Sequence, residues 1–486
     1  MKILLKEFQE VNVDKLVRQM RVAARDSRSG DLQSVALSSP TGSGKTAMLT
    51  AAIELLLKGD DDSGPMPDAT FLWITDQPEL NEQTYRKMLS TSSVLSPETL
   101  VVIDATFDRE TFKPGGVHFL NTQKIGKEKS LVSSGDKRTY TIWETIENTV
   151  AAKPGKFFVI IDEAHRGMQE STRARNEATS IIQKFIKGST GEIPAMPVIV
   201  GISATPKRFH ALIEGTERTS RSVNVEPEDV RTSGLLKETI TLFRPKQHQP
   251  TDMTMLRSAA KSLLTFTKQW ADYCAAQGTM CVRPILVVQV QDAGATDEVS
   301  KTDMAEAIGV LSEELGSPPS DAFAHAFQEG TKVTIGDREL RYLSPSNIDE
   351  DPDVRAVFFK TSLNTGWDCP RAEVMMSFRT AVDATLIAQL VGRMVRTPLA
   401  RSVVDFPLLN TVSLYLPHYD KKGLDDVISR LSSPDADLMP PVGVRDGDDV
   451  VELHRSPGKD EAFAALAAIL PTSFRVRGIQ ARSGAF

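Results

Sequence analysis

Eight residues, Ser39-Pro40-Thr41-Gly42-Ser43-Gly44-Lys45-Thr46, constrain this chain more than any others. The apolar run Val35-Ala36-Leu37 precedes them, and a helical pattern from Ala47 to Leu57 follows. The order is strand, tight loop, helix, with Lys-Thr at the helix start. Glycines let a loop turn its backbone N–H groups onto a phosphate chain, and a helix N-terminus favours the same anion. Thr41, Gly42, Ser43 and Gly44 would form that cradle. Lys45 would reach the β- and γ-phosphates, and the Thr46 hydroxyl would hold Mg²⁺. Ser39 stands where the usual pattern begins with glycine. A plain Gly/Ser turn ahead of a core helix is the competing reading, so the motif needs support from elsewhere.

That support comes from Phe157-Phe158-Val159-Ile160-Ile161, a continuous apolar run of the kind expected of a parallel strand buried on both faces. It ends in Asp162-Glu163-Ala164-His165. Carboxylates at the carboxyl end of such a strand sit where open α/β sheets bind ligands. Asp162 is suited to hold Mg²⁺, and Glu163 to orient and deprotonate an attacking water. A third run, Val198-Ile199-Val200-Gly201-Ile202, leads into Ser203-Ala204-Thr205-Pro206.

These three segments, in this order, resemble the superfamily 2 helicases and translocases. The second half completes the set. Thr361-Ser362-Leu363-Asn364-Thr365-Gly366-Trp367-Asp368-Cys369-Pro370 resembles the fifth motif of that superfamily. Gln389-Leu390-Val391-Gly392-Arg393-Met394-Val395-Arg396 matches the sixth. Gln9 sits where the family has its adenine-reading glutamine. The likeness runs from about residue 2 to 430. Within the superfamily it is nearest to the Res subunits of type III restriction enzymes, through Phe119-Leu120-Asn121-Thr122-Gln123-Lys124, Asp162-Glu163-Ala164-His165-Arg166-Gly167 and Ser233-Gly234-Leu235-Leu236-Lys237-Glu238. Such subunits are generally longer and end in a nuclease domain. This chain has no Glu-x-Lys triplet, and its Asp420-Lys421-Lys422 reads as a solvated turn.

The resemblance implies two tandem RecA-like α/β domains of parallel sheet, with ATP between them. It implies that Gly366, Asp368 and Gln389 help hold the nucleotide, and that Arg393 and Arg396 act across the cleft on the transferring phosphoryl group. His165, Ser203 and Thr205 would couple the cleft to nucleic acid. By the family's pattern, DNA crosses the tops of both domains, at Thr75, Thr122, Gln123, Lys360 and Ser362. Capping or strand-end hydrogen bonding is the plainer reading of any one of those five. The implied partners are ATP, Mg²⁺, duplex DNA through its phosphate backbone, and a modification, specificity or nuclease subunit. A nucleotide-driven protein switch and an RNA helicase of the same superfamily are the competing functions.

Length and composition agree. A chain of 486 residues suits two or three domains. The sequence divides into residues 1–245, residues 246–432, and a Pro- and Asp-marked linker with a short extension at 433–486. Alternating strands and helices argue a parallel sheet. Lys332 to Tyr342 reads as a hairpin turning at Gly336-Asp337, with Val333 and Ile335 opposite Leu340 and Tyr342. Residues 461–470 read as one more short helix. Residues 126–140 form a polar insertion with several lysines. No run approaches the ~18 apolar residues of a membrane span. Three unclustered cysteines read as free thiols, which fits the cytoplasm. A net charge of −7 advertises no nucleic-acid partner, but a translocase needs a basic groove rather than a basic surface. The four tryptophans read as core, with Trp367 the exception to watch.

Overall fold

A computed structural model describes residues 1–76, 78–125, 131–132, 138–162, 181–191, 193–203, 206–245, 252–279, 281–294, 299–327, 330–336, 338–364, 367–380, 384–419, 425, 428, 443–447, 473–476 and 479–482. Two parallel sheets organise it. The first contains β1 (Gln33–Ser38), β2 (Thr70–Thr75), β3 (Leu100–Val102), β4 (Val117–Asn121), β5 (Phe157–Asp162), β6 (Val198–Ser203) and β7 (Thr219–Asn224), in the order β3-β4-β2-β5-β6-β1-β7. Every pairing in it is parallel. β1, β2 and β6 are buried at every position, as continuous apolar runs between two layers of helix should be.

The second sheet contains β8 (Thr239–Phe243), β9 (Ile285–Gln289), β10 (Phe323–His325), β11 (Val333–Ile335), β12 (Arg338–Tyr342), β13 (Ala356–Phe359), β14 (Ala372–Ser377), β15 (Thr411–Tyr415) and β16 (Gly443–Asp446). Its order is β11-β12-β10-β13-β9-β14-β15-β8-β16, and only the β11–β12 pair is antiparallel. A separate hairpin joins β17 (Ser473–Val476) to β18 (Ile479–Arg482). The molecule is thus two tandem RecA-like α/β units.

Three details depart from the sequence reading. β8 was expected to close the first domain at residue 245; it pairs instead with β15 and β16 in the second sheet. The division between sheets therefore falls between Asn224 and Thr239. Residues Gly443–Asp446, expected in a linker, form the edge strand β16. The expected hairpin is present with Val333 facing Leu340, but Ile335 faces Arg338 rather than Tyr342. Tyr342 pairs across to His325 of β10 instead. The helix expected at 461–470 and most of the insertion at 126–140 lie outside the described residues.

Helices α1 (Glu7–Asp26), α2 (Lys45–Lys58) and α3 (Pro78–Thr91) cover the first sheet. The buried face of α1 carries Val13, Leu16, Val17, Met20 and Ala24, at the helical spacing the sequence shows. One apolar cluster runs from this face through Val35, Phe71 and Leu236 to Val287 and Leu414, so the two sheets share a continuous core. A second cluster centres on helix Asp252–Gln277 and includes Trp270. Trp73, Trp270 and Trp367 are fully buried, and Trp143 is 9% exposed. Trp367 is therefore core, not an exposed platform. Among the described residues no helix is long and apolar enough to cross a membrane.

Candidate functional site

Because the first sheet is wholly parallel, its strands end along one edge. Ser38, Thr75, Asn121, Asp162 and Ser203 each close a strand there. Ser39 and Ser203 are tied directly: the Ser39 N–H donates to the Ser203 carbonyl at 3.0 Å. The phosphate loop and the third motif are therefore in backbone contact.

The loop between β1 and α2 turns on two glycines. Gly42 and Gly44 adopt φ +87° and +83°, a region that side chains disfavour. Gly44 caps α2 with no side-chain hydrogen bond, so the first N–H groups of that helix face out of it unclaimed by a capping residue. The Ser39 hydroxyl donates to Ser43 Oγ at 2.5 Å and braces the turn. Lys45, at the first position of α2, donates to the carbonyls of Ser39 at 3.0 Å and Pro40 at 3.3 Å. Thr46 follows, half-buried.

Gln9 supports the loop from beneath. It is 5% exposed; its Nε2 donates to the Ser43 carbonyl at 2.8 Å, and its Oε1 accepts from the Lys6 N–H at 2.9 Å. A Cβ on Gly44 would stand 2.4 Å from Gln9 Nε2, so the loop and the glutamine fit each other only with glycine there. Residues of this kind fit a triphosphate: successive glycine-freed N–H groups, a helix N-terminus and one lysine. The hard oxygen donors Thr46 and Asp162 fit Mg²⁺. Glu163, His165 and Thr205 lie outside the described residues.

The sixth motif lies on helix Ala384–Met394 and the turn that follows. The Arg393 guanidinium donates to the Trp367 carbonyl, and the Arg396 guanidinium is ion-paired with Asp368. The fifth and sixth motifs thus hold each other. Lys87, on α3 of the first unit, donates to the same Asp368 oxygen at 3.1 Å. Asp368 so joins the two units. Burial disfavours its charge, but Arg396, Lys87 and Arg393 outweigh that and hold the carboxyl at about 2. Its Oδ1 and Arg396 Nε are buried without hydrogen-bond partners among the described residues. The side chain of Gln389 and the whole of Gly366 lie outside the described residues.

Lys87 is the site residue that sequence reasoning missed. It belongs to no motif, and its neighbour arises only from the juxtaposition of two units 281 positions apart in sequence.

The expected nucleic-acid residues are more mixed. Thr75 is buried and donates its hydroxyl to Asn81 Oδ1 at 2.9 Å. Thr122 is buried, with its hydroxyl unpartnered among the described residues. Gln123 is exposed, and its N–H donates to Asn121 Oδ1 at 2.8 Å. The Ser362 hydroxyl donates to the Ala326 carbonyl, and the Lys360 ammonium lies 5.1 Å from the Phe327 ring centre. They share the carboxyl edge of the strands, but only Gln123 presents an exposed side chain.

One parallel-sheet unit thus carries the glycine-rich loop, and the other carries the paired arginines. Residues 2–208 match the family model described as "Type III restriction enzyme, res subunit". That likeness covers the first unit and less than half of the chain. No curated protein matches it. Among solved structures it is similar to the DEAD-box helicase Mss116 bound to ssRNA and UDP-BeF, with TM-score 0.46 and 11% identity over 95% of this chain and 77% of that one. It is similar to the Type ISP restriction-modification enzyme LlaBIII bound to DNA, with TM-score 0.47 and 12% identity over 96% of this chain. That match spans 32% of LlaBIII, so this chain corresponds to about a third of that enzyme. It is also similar to a fragment assigned to an HsdR subunit of a type I restriction enzyme from Vibrio vulnificus YJ016, with TM-score 0.44 and 15% identity over 91% of this chain and 74% of that one.

Proposed function

We propose that this chain is a DNA-stimulated ATPase that translocates on duplex DNA as the motor of a restriction or phage-defence system. The observation that carries the reading is Asp368, which ion-pairs with Arg396 on the second unit and with Lys87 on the first. An arginine so placed reaches the cleft only while the two units are together. Arg393 and Arg396 then stabilise charge on the transferring phosphoryl group, a contribution of about 10³–10⁵ in rate for such arginines. Residues 41–46 hold the phosphates. Thr46 and Asp162 would hold Mg²⁺, which when bound neutralises phosphate charge. Glu163 orients the water, Gln389 with Gly366 and Asp368 fixes the closed geometry, and His165, Ser203 and Thr205 relay closure to the strand edge that faces nucleic acid.

DNA rather than RNA is favoured by the family description, since restriction enzymes act on DNA. Contacts from Thr75, Thr122, Gln123, Lys360 and Ser362 would be to phosphates, without base readout. The motor acts in the cytoplasm beside a modification, specificity or nuclease subunit.

The test is ATPase activity with duplex DNA, single-stranded DNA, RNA and no nucleic acid, alongside strand-displacement and triplex-displacement assays. Duplex-stimulated turnover with triplex displacement is expected. Stimulation by RNA alone would replace the reading with an RNA helicase, and turnover indifferent to all three would replace it with a protein switch.

A further inference from the structure

The connector Ser233–Glu238, between the two sheets, carries none of the roles above, yet it touches both halves of the site. Leu236 forms an antiparallel bridge with Arg396. On one side of that bridge the Lys237 N–H donates to the Val395 carbonyl at 2.6 Å. On the other, the Thr397 N–H donates to the Leu235 carbonyl at 3.0 Å, and the Thr397 hydroxyl to the Gly234 carbonyl at 2.9 Å. The backbone flanking Arg396 is therefore held by the connector.

The Leu236 side chain points the other way. It is 3% exposed and lies over the phosphate loop, so that a Cβ on Gly42 would stand 2.6 Å from Leu236 Cδ2. One residue thus packs on the loop with its side chain and pairs with the arginine through its backbone.

The neighbouring residue anchors the connector. Lys237 is wholly buried, with its ammonium 2.9 Å from Glu373 of β14 and 3.4 Å from the carbonyl of Pro370, at the end of the fifth motif. Glu373 also accepts from Trp270 Nε1 at 2.7 Å. Burial pushes Lys237 down and Glu373 up from their ordinary values, and each opposes the shift of the other. A fully buried pair of this kind is costly to desolvate, and fixing one arrangement is its best-attested use.

We propose that Gly234–Lys237 is a positioning strap that sets Arg396 against the phosphate loop, with Leu236 as its contact on Gly42. The strap moves with the second unit through Lys237 and Glu373, and meets the first unit through Leu236. A shift of the loop is passed to the arginine by packed atoms and hydrogen bonds, the physical carriers of coupling between sites. Misplacement by about 1 Å can cost on the order of 10²-fold in rate, so a truncated contact has room to act on turnover without touching substrate.

The proposal rests on the ATPase reading, and wild-type turnover measured in the same experiment tests that reading separately. Wild type, Leu236→Ala, Leu236→Met and the core control Val412→Ala are compared at low temperature. Nucleotide affinity is read with a fluorescent ATP analogue, together with kcat, thermal midpoint and hydrogen exchange at the Lys237 and Thr397 amides. Leu236→Ala should lower kcat about tenfold or more, leave nucleotide affinity within about twofold and speed exchange at both amides. Leu236→Met should restore most of kcat, and Val412→Ala should lower the midpoint while kcat holds. Unchanged kcat in Leu236→Ala, or a loss proportional to unfolded fraction, overturns the strap. Should Leu236→Ala not fold, exchange in wild type decides: a non-hydrolysable ATP analogue should slow both amides, and no change overturns the proposal.

Discussion

Lys45 sits at the start of α2 with its ammonium on two carbonyls of its own loop, so replacing it removes little that holds the fold. Lys45→Ala should cut ATP turnover by about 10² or more, as loss of a charge-stabilising group does, with an unchanged thermal midpoint. Turnover within twofold of wild type would remove the nucleotide site from this loop. Gly44 is more demanding. At φ +83°, an added Cβ is strained and displaces the Gln9 amide from Ser43, so Gly44→Ala should weaken nucleotide binding about tenfold, read by titration of an ATP analogue. Asp368 supplies a pH signature. Its folded value, about 2, lies below the ordinary 3.8, so its stabilising effect is full above about pH 4 and fades as pH falls through 2. The unfolding midpoints of wild type and Asp368→Asn should differ at neutral pH and converge toward pH 2. A gap that persists to pH 2 would mean the pairing with Arg396 and Lys87 does not hold the carboxylate. None of this second contact was legible in the sequence. Asp368 and Arg396 stand in recognisable motifs, whereas Lys87 is one of many helix-surface lysines.

Elements were far more legible than their partners. Continuous apolar runs marked β1, β2, β5 and β6, and the 3.6-residue spacing marked α1, because both signals are local. Which sheet a strand joins is not local. Thr239–Phe243 reads equally well as the last strand of one sheet or an inner strand of the next, and only its pairing with β15 and β16 decides. The hairpin turn was legible at Gly336, and Ile335 pairs with Arg338 across it. The connector's importance was hidden too, since Lys237 looks like an ordinary solvated lysine until Glu373 is placed beside it. That pair allows a stability test. Removing one partner leaves a buried charge alone, so Lys237→Met or Glu373→Leu should each destabilise by about 3–5 kcal/mol. The double replacement should recover most of that loss, since apolar substitutes for a whole buried pair are often neutral. Thermal and denaturant unfolding of the four proteins measure it. Additive single losses would show that the two side chains do not act as a pair.

At the scale of the whole molecule, the placement of β8 decides where the chain can be cut. The seven strands of the first sheet end at Asn224, and helix Pro227–Thr232 follows. Beyond it the connector binds residues 395–397, and the Glu238 N–H donates to the Asn410 carbonyl. A fragment of residues 1–232 keeps the whole first sheet, α1 to α3, the phosphate loop and Asp162. A fragment of residues 1–245 adds Leu235, Leu236, Ile240 and Leu242, all of which pack in the shared core, and gives β8 no strand to pair with. Unpaired apolar strands seek other chains. The shorter fragment should therefore be monomeric and the longer one should associate, as light scattering would show. The shorter fragment should also bind an ATP analogue with affinity near that of the full chain. It lacks Arg396, so its turnover should lie about 10³-fold or more below the DNA-stimulated rate, the scale of such an arginine's contribution. Adding DNA should change nothing, because half of the strand edge is gone. If residues 1–245 prove as monomeric as 1–232, β8 is not committed to the second sheet. If residues 1–232 hydrolyse ATP at the full stimulated rate, the site is complete on one unit and neither the arginines nor the strap has the work assigned to it.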